Sequence, residues 1–135
     1  MTETFIDTSF VIAVVNRKDQ YHEEAVKLAD LYDGQSLVTT EAVLLEIGNA
    51  LAKNYKAEAV GVVEDFLESD EVVVVRLDAG LFERGFEMYK RYSDKAWGLI
   101  DCVSFVVMQE RGVADALTAD DDFRQAGFNP LLAQS

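Results

Sequence analysis

Phe5-Ile6-Asp7-Thr8-Ser9-Phe10-Val11-Ile12-Ala13-Val14-Val15-Asn16 changes from strand to helix around a single carboxylate. Phe5-Ile6 reads as a short buried strand ending at Asp7, followed by a helix from about Ser9 to Asn16. A buried strand that runs straight into a helix is the first step of a strand–helix alternation, the pattern of a parallel sheet covered by helices.

The rest of the chain repeats that step. His22 to Tyr32 carries Ala25, Leu28, Ala29 and Tyr32 at helical spacing and stops near Asp33-Gly34. Ser36 to Thr39 reads as a second strand, after which Thr40 caps a helix with Val43, Leu44, Ile47 and Leu51 on one face. Ala57 to Glu68 is a further helix. Val72 to Leu77 is rich in β-branched residues and apolar but for Arg76, which predicts a central strand covered on both faces. Asp78 to Tyr92 reads as an amphipathic helix, and Leu99 to Arg111 as another that stops at Gly112. Ala116-Leu117-Thr118 forms a fourth strand ending at Ala119-Asp120. Asp121 to Gln125 is a short helix, and Phe128 to Leu132 an edge strand where Pro130 is tolerated. The fold class expected is α/β, three-layer α/β/α with a central, mainly parallel sheet, in one domain spanning residues 1–135.

Composition narrows the function classes. The 135 residues include 25 Asp plus Glu against 12 Lys plus Arg, a formal charge of −13, with half of the residues hydrophobic. Such a chain has ample apolar material for a core and is not a disordered acidic tail. Its bulk charge has the wrong sign for holding nucleic acid on a general basic face. The single cysteine, Cys102, excludes an intramolecular disulfide and fits a reducing compartment. With no basic, apolar leader and no apolar run long enough to span a bilayer, the expectation is a cytoplasmic protein with no membrane association.

Most acids fall where solvent belongs, as in Glu23-Glu24 and Glu68 to Glu71, but four do not. Asp7 follows Phe5-Ile6, Glu46 sits between Leu44-Leu45 and Ile47, Asp101 between Leu99-Ile100 and Cys102-Val103, and Asp120 ends the Ala116-Leu117 strand. A charged carboxylate in apolar surroundings costs several kcal/mol unless it is paired or bound to metal. Asp7 and Asp120 are expected at carboxyl ends of parallel strands, where open α/β sheets bind ligands. Glu46 and Asp101 are expected in first turns of helices, where the dipole favours negative charge. Four converging acids suit a hard divalent cation, Mg²⁺ or Mn²⁺, and no Cys/His set argues for zinc. Separate helix caps and hydrogen-bonded carboxylates are the competing account.

Phe5-Ile6-Asp7-Thr8-Ser9, Glu46-Ile47-Gly48-Asn49-Ala50-Leu51, Trp97-Gly98-Leu99-Ile100-Asp101-Cys102 and Leu117-Thr118-Ala119-Asp120-Asp121-Asp122-Phe123 together resemble the PIN domain. The likeness is closest to the VapC-type toxins of prokaryotic toxin–antitoxin pairs, and runs in order over nearly the whole chain to Phe123-Arg124-Gln125-Ala126-Gly127-Phe128. The resemblance implies that Asp7, Glu46, Asp101 and Asp120 form a catalytic, metal-binding acidic cluster, with Asp122 a possible further member. It implies that Thr8 or Ser9 orients Asp7 or a water, and that Asn49 supports the site or simply lies on the helix surface. Gly98 departs from the pattern, where many relatives carry Ser or Thr three residues before the third acid. Further implications are an RNA substrate, a homodimer and a small cognate antitoxin whose basic segment inserts Arg or Lys among the carboxylates.

The expected activity is Mg²⁺- or Mn²⁺-dependent hydrolysis of RNA phosphodiester bonds. His22 is the only histidine, so a paired-histidine ribonuclease is not available, and Tyr21-His22-Glu23 reads as a helix entry. Cys102 sits in an apolar run and reads as core. Lys53 and Lys56, or Lys90, Arg91 and Lys95, are candidates for RNA contacts or plain solubilising charges, and Trp97 for a base-stacking or a core residue. Two other classes remain: a PIN-like protein-binding scaffold with little nuclease activity, and a metal-dependent phosphatase. The phosphatase usually needs a second Asp where Ser9 stands, and a scaffold has no need of four costly acids.

Overall fold

The computed structural model describes residues 2–133. In chain order the elements are β1 (Thr4–Ile6), α1 (Thr8–Val15), α2 (His22–Tyr32), β2 (Leu37–Thr40), α3 (Glu41–Leu51), α4 (Lys56–Glu68), β3 (Val72–Val75), α5 (Ala79–Arg91), α6 (Leu99–Arg111), β4 (Asp115–Leu117), α7 (Asp122–Gln125) and β5 (Asn129–Pro130). The strands form one five-stranded sheet in the order β3-β2-β1-β4-β5, and every neighbouring pair is parallel. Helices cover it in a three-layer α/β/α arrangement, as the strand–helix alternation predicts.

The strand order departs from the sequence reading in one respect. Val72–Val75 lies at the edge of the sheet, with Val73 40% exposed, whereas the fully buried centre is the shorter β1. β-branched residues report a fit to a pleated surface, not a position within the sheet. Pro130 does lie on an edge strand, although β5 is only two residues long.

The chain builds outward from β1 through β2 to β3, then crosses back to lay β4 on the other side of β1. That reversal makes a switch point between β1 and β4, and ligands of open α/β sheets collect at the carboxyl ends of the strands there. Asp7 directly follows β1, and Asp120 follows β4 by three residues.

Helix α6 is the spine of the core. Seven consecutive residues, Cys102 to Met108, are buried, so no side of the helix in this stretch faces water. Phe105 meets Phe123 edge-on at 5.0 Å and Trp97 at 5.1 Å, and Phe123 reaches Phe5 of β1 at 6.3 Å. On the other side α5 crosses α6 at Gly85, where a methyl group would stand 2.6 Å from Val103 Cγ2. The absent side chain lets the two helices pack closely and so fixes the direction in which α6 presents its first turn. That turn carries Asp101.

Candidate active site

Asp7, Glu46, Asp101 and Asp120 line one open cleft of about 300 Å³, together with Thr8, Ser9, Ile12 and Ala50. They arrive from four separate segments: the end of β1, the middle of α3, the first turn of α6 and the loop after β4. Two larger hollows elsewhere share none of these residues: Asp33, Asp65 and Glu71 line one, and Glu83, Glu87 and Glu110, beside Arg84 and Arg91, line the other.

Asp7 is the most enclosed, at 4% exposure. It caps α1, accepting the Ser9 N–H at 3.4 Å, and its Oδ2 also accepts Ser9 Oγ at 3.0 Å and Thr118 Oγ1 at 2.8 Å. Burial pushes its pKa up to about 6, against the opposing pull of the Thr118 and Ser9 hydroxyls, with a further upward contribution from Glu46. Ser9 thus hydrogen-bonds Asp7 through both its N–H and its hydroxyl. Thr8 does something else: its hydroxyl donates to Glu46 Oε1 and steadies that carboxylate across the cleft.

Glu46 is half-buried and lies well inside α3, which begins at Glu41. The first-turn placement expected from sequence is thus corrected. Thr40 is the cap, as expected, and accepts the Val43 N–H at 3.1 Å, and Glu41 occupies the first turn, accepting the Leu77 N–H at 2.8 Å. Asp101 does occupy the first turn of α6 and accepts the Gly98 N–H at 3.2 Å. With no side chain at Gly98, that backbone bond is what the N-terminus of α6 offers the carboxylate. Desolvation raises the Asp101 pKa to about 7, and repulsion from Asp7, Asp120 and Glu46 adds to it.

Asp120 accepts the Asp122 N–H at 2.9 Å, which folds the acidic run back on itself. Carboxylate oxygens of Asp101, Asp120 and Asp122 come within 4.8 Å of one another, so Asp122 joins the cluster. Its pKa is raised by desolvation and by Asp120 and Asp121. Asn49 is exposed and does not line the cleft.

The capping account and the cluster account both describe part of this geometry. Asp7 and Asp101 are cap-like acceptors, yet they crowd with other acids in one cleft, and their raised pKa values, about 6 and about 7, show that burial and repulsion oppose their charge. Among the described residues the ion pairs lie elsewhere, at Arg76–Glu41, Arg84–Glu110, Lys90–Glu87, Lys95–Asp94, Arg111–Glu3 and Arg124–Asp121. None involves the cluster.

The remaining candidates resolve on burial and partners. Trp97 is 7% exposed, packs on Tyr92 and Phe105, and donates its indole N–H to Gln125 Oε1, so it is a core residue. Cys102 is buried and its thiol is pushed up to about 11, which leaves it unreactive. His22 Nδ1 contacts the Ala13 carbonyl at 2.8 Å and ties α2 to α1. Lys53, Lys56, Lys90, Arg91 and Lys95 are exposed and none lines the acidic cleft.

One contributor escaped the sequence reading. Thr118 is fully buried, and its hydroxyl touches Asp7, Ser9 and the backbone N–H of Asp120. The only local signal was a hydroxyl two residues before an acid at a strand end.

The PIN domain family matches residues 4–129. Two curated relatives, both named 23S rRNA-specific endonuclease VapC20 and from two strains of Mycobacterium tuberculosis, are 31% identical over 124 residues, 92% of this chain and 94% of each relative. The crystal structure of Mycobacterium tuberculosis VapC20, described as a Sarcin-Ricin loop cleaving toxin, superposes with a TM-score of 0.82 at 30% identity, covering 93% of this chain and 95% of that one. VapBC2 from Rickettsia felis, bound to a promoter DNA fragment, shares the fold at a TM-score of 0.64 and 13% identity, over 99% of this chain and 98% of that one. The chain belongs to the PIN domain family.

Proposed function

We propose that this chain is a Mg²⁺- or Mn²⁺-dependent endoribonuclease acting as the toxin of a toxin–antitoxin pair. The observation that carries the reading is the convergence of carboxylates from four chain segments at the β1/β4 switch point, with no Lys or Arg among the cleft-lining residues. Asp7, Asp101, Asp120 and Glu46 are the residues that would hold the ion, with Asp122 in reach of the last two aspartates of the set. Their donors are all oxygens, which fits a hard divalent cation. When bound, such an ion supplies positive charge to the scissile phosphate and acidifies the water that attacks it.

The chain's own groups do the positioning. Ser9 and Thr118 fix Asp7, Thr8 fixes Glu46, and the Gly98 N–H fixes Asp101. Without an ion the cleft repels phosphate, so RNA binding and cutting depend on the same cation. The relatives named above cut 23S rRNA, and a structured ribosomal RNA loop is the substrate class assigned to this chain. The proposal extends to a small antitoxin whose basic segment neutralises the same carboxylates, to a homodimer, to action in the cytoplasm and to residues 1–135 as a single domain.

The test compares wild type with Asp7→Asn and Asp101→Asn on 23S rRNA fragments containing the Sarcin-Ricin loop, with Mg²⁺, Mn²⁺ or EDTA. Wild type should cut with either ion and not with EDTA, and each variant should lose on the order of 10³-fold in rate. Cleavage in EDTA, or full activity in both variants, sinks the mechanism. A folded wild type that binds Mn²⁺ and RNA but never cuts points to the scaffold instead.

A further inference from the structure

We propose that Thr118 is a positioning residue that commits Asp7 to ligation through one oxygen, a role that rests on the metal-dependent reading above. Thr118 and Ser9 each bring one hydroxyl proton. The backbone N–H groups of Asp120 and Ala119 donate to Thr118 Oγ1 and Ser9 Oγ respectively, both at 3.0 Å. An amide can only donate, so each hydroxyl accepts from the backbone and turns its own proton elsewhere. The Thr118 proton goes to Asp7 Oδ2 at 2.8 Å, and Ser9 Oγ stands 3.0 Å from both Asp7 Oδ2 and Thr118 Oγ1.

The consequence is directional. The hydrogen bonds from the Ser9 N–H, Ser9 Oγ and Thr118 Oγ1 all fall on Oδ2, and Asp7 still lines the cleft. With the Thr8 backbone N–H also aiding the carboxylate, Oδ2 is the oxygen the side-chain hydroxyls occupy, and Oδ1, which neither hydroxyl reaches, is the one more open to a cation. The same Thr118 oxygen that receives the Asp120 N–H also sets where the backbone of Asp120 begins. One buried hydroxyl thus sets both strand-end carboxylates relative to each other. Outer groups of this kind govern metal affinity through the orientation of the ligands they hold.

The experiment measures Mn²⁺ binding to metal-free protein by calorimetry, with melting temperature as the fold control, for wild type, Thr118→Val, Thr118→Ser and Thr118→Ala. Thr118→Val keeps the shape and lacks the hydroxyl, and should weaken Mn²⁺ binding by about 10- to 100-fold. Thr118→Ser restores the hydroxyl and should bind within about 3-fold of wild type, since the hydrogen bonds are conserved. If Thr118→Val does not fold, Thr118→Ala, which also lacks the hydroxyl and relieves any crowding, must show the same weakening. Folded Val or Ala variants that bind Mn²⁺ like wild type overturn the positioning role while leaving the metal site standing. Wild type that binds no Mn²⁺ overturns the metal-dependent reading itself.

Discussion

Asp7 and Asp101 face the same cleft but are held in opposite ways. Asp7 is almost fully buried and its Oδ2 receives three hydrogen bonds, whereas Asp101 is half-buried and accepts one backbone N–H. The less buried acid nevertheless has the higher pKa, about 7 against about 6. Hydroxyls aimed at Asp7 offset much of its desolvation, while Asp101 is pressed by Asp7 and Asp120 with little to compensate. Hydrogen bonds and neighbouring charge, more than depth, decide where the cleft keeps its protons.

Metal should erase this difference. At pH 8 the carboxylates are mostly charged and crowded, so saturating Mn²⁺ should raise the melting temperature by roughly 10 °C. At pH 5, where protons already occupy the cleft, the rise should shrink to a small fraction of that. An equal rise at both pH values in differential scanning calorimetry would show that the ion binds somewhere else.

Truncation should separate the two acids in the absence of metal. At pH 5, Asp7→Ala leaves the Ser9 and Thr118 donors without their acceptor and should cost about 2 kcal/mol in urea unfolding. Asp101→Asn at the same pH should stay within about 0.5 kcal/mol of wild type, because the side chain is already neutral there. Equal losses would show that Asp101 has structural partners beyond Gly98.

The smallest effect is a pH dependence. Both acids have folded pKa values raised above the ordinary carboxylate range, so between about pH 4 and 7 the folded state binds more protons than the unfolded one. Their contribution to stability is present at low pH and is lost as pH rises through 6 and 7. Metal-free wild type should accordingly weaken over that window. Asp101→Asn should flatten the slope and raise the melting temperature at pH 8 by about 4 °C.

The parts of this arrangement that depend on near neighbours were legible in the chain. Helical spacing and apolar runs located every helix and strand to within a few residues, and Asp7, Glu46, Asp101 and Asp120 stood out because each interrupts an apolar stretch. Asp122 was visible only as an ambiguity within a triple aspartate, since its place depends on how the loop after β4 turns. Sheet order was not legible for β3: a valine run looks alike at an edge and at a centre. Thr118 was hidden for a different reason, because its partner Asp7 lies 111 residues away. A buried threonine at the end of a strand has the same local appearance whether it touches a carboxylate or only the backbone. Thr8 and Ser9 were adjacent in sequence and interchangeable on paper, but the turn into α1 sends one to Glu46 and the other to Asp7.

The β1/β4 switch point also sets a timetable. Asp7 leaves the ribosome 111 residues ahead of Thr118, and ahead of Asp120 as well. Until β4 docks beside β1 there is no cleft, no shared hydroxyl and no place for an ion. A nascent or truncated chain that stops before β4 therefore carries Asp7 and Glu46 without the assembled cleft.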